Sequence, residues 1–256
     1  MKTTIDLVAD LGEGFGCYTM ADDASMLELV SSANVACGFH AGDPRTMAKA
    51  VELAVHNGIG IGAHPGFPDL VGFGRRDMNL TSWEITTDVI YQLGALDAFV
   101  RIYGGHLQHI TPHGRLGNLA DTDPRHAEAI VDAVIRFDPS LIVAVPEGQL
   151  AQLAKQRGLK VATLILGDRS YNDDGSLVNR REPNAVIHDP EIMVKRCVQM
   201  AIEGKVKSIT GREIAKKGDS LLLHGDTPGS LELARRIRSA LVEAGVEIRN
   251  LGERFS

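Results

Sequence analysis

The sequence predicts an α/β fold, a parallel (β/α) barrel of seven or eight strands, and three observations carry that expectation. Short apolar runs alternate with helical patterns along all 256 residues, the order that builds a parallel sheet with crossover helices. No Gly-, Ser- or Pro-rich linker, low-complexity segment or short repeat divides the chain, so one barrel domain over residues 1–256 is the simplest account. Histidines and acids fall just beyond the carboxyl ends of most of the strands. In a closed barrel those loops converge on one face, whereas in an open doubly wound sheet only loops near a switch point share a cleft.

The elements follow in order. Strands are expected at Thr4–Ala9, Asn34–Gly38, Ile59–Ala63, Leu107–Thr111, Leu141–Val145, Val161–Leu166, Leu221–His224 and Val246–Arg249. Asp43-Pro44 starts a helix whose apolar face is Met47, Ala50, Val51, Ala54 and Val55, stopped by Gly58. Thr81 and Glu84 form a capping box for a long helix through Ile85, Val89, Leu93, Leu96 and Val100. Trp83 is expected in the core or packed at that helix start. Asp123-Pro124 and Asp189-Pro190 cap two more helices, and Leu231–Val242 is an amphipathic helix ended by Gly245.

Composition narrows the function. Hydrophobic residues make up 44% of the chain, enough for a sizeable core, and the net charge of −6 gives no basic groove. Nucleic acid and anionic membrane are therefore excluded as expected partners. Cys17, Cys37 and Cys197 are odd in number and far apart, with no C-x-x-C, so neither disulfides nor a thiolate metal site is expected. The N-terminal MKTTIDLVADLGEG has acids where a signal peptide needs an apolar run, and a reducing cytoplasm is the expected location.

Four of the nine histidines share one context, beside glycine or proline at a strand exit: His40 in GFHAGDP, His64 in GAHPG, His113 in TPHG and His224 in LHGD. Glycine permits close backbone approach to a ligand, and histidine donates, accepts or ligates near neutral pH. With them at strand exits stand Asp10 and Glu13, Asp43, Glu147, Asp168 and Asp226. Asp43 before proline is explained by helix capping alone. Arg75 and Arg76 are candidate guanidinium clamps for a carboxylate or phosphate, and Asp168, Arg169 and Tyr171 belong to a long polar loop suited to a lid or binding element. There is no H-E-x-x-H and no nucleotide-cradling G-x-G-x-x-G or P-loop, so no tightly bound metal is expected.

Taken together, DLGEGFG, SANVACGFHAGDP, IGAHPGFPDLVGFGRR, YQLGAL, PHG, DRSYNDDGSLVNR and LHGDTPG, in this order over nearly the whole chain, resemble the LamB/YcsF family. The resemblance implies a deformed barrel related to glycoside hydrolase and polysaccharide deacetylase barrels. It implies ATP-driven opening of the lactam of 5-oxo-L-proline to glutamate, with two partner subunits, B and C, of a 5-oxoprolinase complex and with ATP and Mg2+ used at the level of that complex. On this reading Asp10, Glu13, His40, His64, His113 and Asp168 are the catalytic candidates, and Asp43, Arg75, Arg76, Arg169, His224 and Asp226 the candidates for substrate binding. Family members usually carry Asn at position 8, Lys at 111, Ala-Leu-Tyr over 115–117 and Glu-Val-Phe-Ala over 164–167, where this chain has Val8, Thr111, Arg115-Leu116-Gly117 and Leu164-Ile165-Leu166-Gly167. That change points to a rebuilt pocket for 5-oxoproline or a related small cyclic amide. Two other readings stand beside it: a noncatalytic member that binds a metabolite or partner, and a stand-alone metal-dependent amide hydrolase using His40, His64, His113 and an acid.

Overall fold

Seven parallel strands close into a ring in the computed structural model, which describes residues 3–179, 182–223 and 229–256. The strands are β1 (Thr4–Leu11), β2 (Ser32–Ala36), β3 (Gly60–His64), β4 (Leu107–Ile110), β5 (Ile142–Val145), β6 (Val161–Leu166) and, after a short antiparallel pair β7 (Lys205–Lys207) and β8 (Glu213–Ala215), β9 (Ser220–Leu223). Pairing of β9 with both β6 and β1 closes the ring. The eighth expected strand forms as β10 (Glu247–Ile248). It lies outside the ring, pairing with the first residues of β1 at Thr4 and Ile5. The expected extension of the second strand to Gly38 stops at Ala36, because Gly38 takes a φ of +93° and its N–H turns back to the Ala41 carbonyl.

The helices fill the crossovers: α1 (Asp23–Leu27), α2 (Pro44–His56), α3 (Ser82–Ile102), α4 (Gly114–Ala120), α5 (Pro124–Phe137), α6 (Gln149–Gln156), α7 (Pro190–Glu203), α8 (Ser230–Glu243) and α9 (Leu251–Arg254). Asp43, Asp123 and Asp189 cap α2, α5 and α7 through carboxylate bonds to the first free N–H groups, with proline following each cap. Thr81 and Glu84 make the reciprocal box of α3. Trp83 is 71% exposed at that helix start, so it does not pack as the sequence suggested. The short helices α1, α4, α6 and α9 and the β7–β8 pair had no strong periodicity to announce them.

Side chains alternate along each strand between the helix layer and the ring interior. In β1, Ile5, Leu7, Ala9 and Leu11 join the main core beneath the helices, while Asp6, Val8 and Asp10 turn inward. Asp6 accepts hydrogen bonds from the hydroxyls of Ser31, Ser32 and Ser220, tying β1 to its two neighbours. Burial, partly offset by those bonds, pushes its carboxyl up to about 6. Val8 meets Leu164, Leu166 and Leu222 in a separate apolar cluster. Between Ile61 and Gly62 the β3–β4 register slips by one residue, a bulge that lets both Gln108 and His109 reach the bare glycines of β3.

Candidate active site

Four consecutive strand exits deliver the cluster. Glu13 follows β1, His40 follows β2, His64 ends β3, and His113 follows β4 as the N-cap residue of α4. One donor atom from each lies within 4.8 Å of the others. His40 Nε2 is 3.2 Å from Glu13 Oε1, His113 Nδ1 is 3.7 Å from the same oxygen, and His113 Nδ1 is 3.0 Å from His64 Nε2. Asp10 joins at the edge, its Oδ1 3.5 Å from His64 Nε2. The His40 and His113 rings stack, 3.7 Å between centroids and 3° from parallel, with His64 edge-on to both.

Backbone carbonyls orient two of these rings. His64 Nδ1 donates to the Thr111 carbonyl at 2.6 Å and His113 Nε2 to the Phe73 carbonyl at 2.9 Å. His40 and His113 are buried beside His64 and beside each other, and protonation of these two is disfavoured. Burial first, then the neighbouring His113, His64 and Arg75, holds His40 well below its ordinary range. Burial, with His64 adding to it, lowers His113 to about 3. The cluster sets three buried imidazoles against the Glu13 and Asp10 carboxylates.

A second layer fixes the first. Asn34 on β2 donates to Asp10 Oδ1 at 2.8 Å and accepts from His109 Nε2 at 2.8 Å. His109 is fully buried, and burial lowers it to about 3. Gln92 of α3 grips Gly66 through both backbone groups, at 2.9 and 3.0 Å, and holds the start of the loop that follows His64. Further along that loop Asp69 accepts from the N–H groups of Gly72 and Arg76 and from the Arg76 guanidinium. The clasp presents Phe73, whose φ of +54° is unusual for a non-glycine residue and whose carbonyl orients His113. Gly74 follows at φ +63°, where a Cβ would fall 2.8 Å from His40 Cβ and 2.9 Å from His113 Cδ2. Only glycine lets this loop lie over the rings.

The sequence expectations divide accordingly. Asp10, Glu13, His40, His64 and His113 come together as anticipated. Arg75 is exposed beside them, its guanidinium 5.1 Å from the Phe73 ring. Arg76, expected as a clamp on substrate, is committed instead to the buried Asp69. Asp43 is likewise occupied, accepting from Gly16, Arg45 and Thr46, and the Gly16 N–H leads the contacts that hold its carboxyl at about 2. Arg169 donates to the carbonyls of Ala185 and Val178 and closes its own loop rather than offering itself to substrate. Asp168 is not among the clustered residues Glu13, His40, His64 and His113 and neighbours Tyr171, Arg196 and Cys197. Glu147 pairs with the buried Lys216 at 3.2 Å. His224 and Asp226 lie outside the described residues.

Sequence reading missed His109, Asn34, Gln92 and the Phe73 carbonyl. The signal for His109 was the Gly60-x-Gly62 face beside it, since a Cβ on Gly62 would fall 2.1 Å from His109 Nε2. Of the unusual positions, Val8 and Leu164 prove to share one apolar cluster, Thr111 caps the Ala144 carbonyl, and a Cβ on Gly117 would meet the Pro112 carbonyl oxygen at 2.7 Å.

Comparison with known proteins agrees with this fold. The profile of the LamB/YcsF family matches residues 5–255. The 5-oxoprolinase A subunit of Gluconobacter oxydans (strain 621H) is 46% identical over 249 residues, 97% of this chain and 98% of that protein. That of Thermococcus onnurineus (strain NA1) is 45% identical over 250 residues, again 97% and 98%. The crystal structure of a lactam utilization protein from Thermus thermophilus superimposes with a TM-score of 0.93 at 44% identity, covering 97% of this chain and all of that one. A T48 deacetylase solved with substrate shares the barrel fold at a TM-score of 0.52 and 15% identity, over 99% and 91% of the two chains.

Proposed function

This chain belongs to the LamB/YcsF family, and from that premise we propose that it is the A-type component, or a divergent paralogue of it, of an ATP-dependent 5-oxoprolinase-type hydrolase that opens the lactam of 5-oxo-L-proline or a related small cyclic amide. The observation that carries the reading is the convergence of Glu13, His40, His64 and His113 at one end of the barrel, together with 5-oxoprolinase relatives that align end to end.

The chemistry fits the groups present. A five-membered lactam is a stable amide, and phosphorylation of its carbonyl oxygen by ATP activates it. Water then adds to that carbon, the ring C–N bond breaks as the nitrogen takes a proton, and the resulting acyl phosphate is hydrolysed by a second water. Asp10 and Glu13 are the half-buried carboxylates of the cluster. In this reading they take the proton from water and return one toward the leaving nitrogen, with the imidazoles fixing their positions. Arg75 supports the substrate carboxylate. The apolar cluster of Val8, Leu164, Leu166 and Leu222 favours a ring whose far side is hydrocarbon. ATP with Mg2+ and the B and C partner subunits enter at the level of the complex. Among the described residues no helix is long and apolar enough to cross a membrane.

The test is reconstitution. The chain alone and the chain with its B and C partners are incubated with ATP and 5-oxoproline or a panel of lactams, and ring-opened amino acid is measured. ATP-dependent opening by the complex and little by the isolated chain is expected. Ligand binding with no ring opening on any lactam, despite active partners, would favour the noncatalytic reading.

A further inference from the structure

We propose that Glu13, His40, His64 and His113 bind a divalent transition-metal ion, zinc being the ion their chemistry suits best. The positions of the ring hydrogens come first. His64 gives its Nδ1–H to the Thr111 carbonyl and His113 gives its Nε2–H to the Phe73 carbonyl. A carbonyl only accepts, so in each neutral ring the remaining nitrogen is a bare lone pair. Those two nitrogens, His64 Nε2 and His113 Nδ1, face each other at 3.0 Å. Two acceptors at that distance repel unless something positive lies between them.

The surroundings sharpen the mismatch. Glu13 Oε1 is 3.7 Å from His113 Nδ1, and Asp10 Oδ1 is 3.5 Å from His64 Nε2. Both are acceptors when ionised, and Asp10 already receives the Asn34 amide on that oxygen. The remaining ring, His40, points Nε2 at Glu13 Oε1 from 3.2 Å, while its buried Nδ1 has no hydrogen-bond partner among the described residues. Two ring nitrogens held as acceptors thus face each other beside the carboxylates of Glu13 and Asp10.

A cation resolves this. Neutral imidazoles whose outer N–H groups rest on backbone carbonyls are the usual outer-shell arrangement of metal-binding histidines, fixing tautomer and ring direction. Zinc takes imidazole nitrogen and carboxylate oxygen at about 2.0–2.2 Å, so the edges of a tetrahedral ligand set are about 3.4 Å. Three of the six donor–donor separations, 3.0, 3.2 and 3.7 Å, lie near that edge and all fall within 4.8 Å; the His40 ring, stacked on His113, turns out of parallel for both to point at one ion. The donor set of three imidazoles and one carboxylate, without thiolate, suits zinc and its first-row neighbours over magnesium or calcium. The ligands come from four separate strand exits, which is why no contiguous motif such as H-E-x-x-H reveals them and why the sequence pointed to no tightly bound metal. An ion held there would act as a Lewis acid on a reacting oxygen, and with Glu13 engaged as a ligand the proton transfers of the proposed reaction would fall to Asp10. The site rests on the cluster geometry and is independent of which amide the protein opens.

The experiment uses the purified full-length chain. Metal content is measured by elemental analysis after gentle purification, then the chelator-treated chain is titrated with Zn2+ by calorimetry and with Co2+ by visible absorption. About one equivalent of ion and the intense cobalt bands of a four- or five-coordinate site are expected. His64→Ala, and Glu13→Gln, which keeps side-chain shape, should weaken Zn2+ binding by at least ~100-fold, the upper end of the cost of losing an outer-shell partner. His106→Gln, an exposed histidine outside the cluster, should leave it unchanged. Circular dichroism confirms that each variant is folded. Failure of the wild-type chain to take up Zn2+ or Co2+, or uptake that survives loss of both His64 and Glu13, would overturn the proposal and leave a shared proton between His64 and His113.

Discussion

The His109 ring occupies the space that a side chain at position 62 would need: a Cβ on Gly62 would lie 2.1 Å from His109 Nε2. That nitrogen is also the one that holds Asn34, and Asn34 holds Asp10. Packing inside the barrel and the orientation of a candidate catalytic carboxylate are therefore one problem. Gly62→Ala should cost about 1–3 kcal/mol as an overpacking change, read from denaturant unfolding. It should also lower turnover more than an equally destabilising substitution in the helix layer. Equal losses from both would separate His109 from the site.

Burial of His109 has a pH signature. Its folded value of about 3 lies below the ordinary 6.5, so between those values the unfolded chain binds a proton that the folded chain refuses. The stability contributed by the neutral ring is complete above pH 6.5 and is lost as pH falls toward 3. Asp6 and Asp121, pushed up by burial to about 6 and about 7, work in the opposite sense, because their cost to folding eases as pH falls toward their ordinary value. Comparing variants isolates the histidine. The stability of wild type relative to His109→Gln should fall by up to about 1.4 kcal/mol per pH unit below 6.5. Parallel curves would show that His109 is not held neutral.

Adjacent arginines should separate cleanly. Arg75→Ala should raise KM for a carboxylated lactam about 10-fold or more with little change in melting temperature, the loss of one charge-assisted contact. Arg76→Ala should lower the melting temperature and reduce turnover together, because it releases the loop that carries the Phe73 carbonyl. Asp69→Ala should do the same more strongly, costing about 1–3 kcal/mol by leaving the Gly72 and Arg76 N–H groups without their acceptor. Kinetics and thermal melts on the three proteins decide the matter, and matching profiles for Arg75→Ala and Arg76→Ala would contradict the assignment.

Much of this was legible in the chain. Strands read from apolar runs lie within a few residues of those observed, and His40, His64 and His113 stand out by the glycines and prolines at their strand exits. What escaped required three dimensions. Nothing local separates Arg76 from Arg75; the difference is a buried Asp69 seven residues earlier. His109 sits inside a strand whose register slip at Gly62 no residue pattern displays. Asp43 and Arg169 looked like binding groups because capping and loop closure use the same atoms as ligand binding. The grouping of Val8 with Leu164 joins two residues that lie 156 positions apart in the chain.

If Glu13 and the three histidines mark where the cyclic amide is opened, the most direct test is ATP-dependent ring opening by the reconstituted complex. Wild-type chain is compared with Glu13→Gln and His113→Ala chains shown to fold and to assemble normally. Each variant is predicted to lose at least ~100-fold in kcat, within the range that positioned acid–base groups supply. Turnover undiminished in both variants would contradict that assignment.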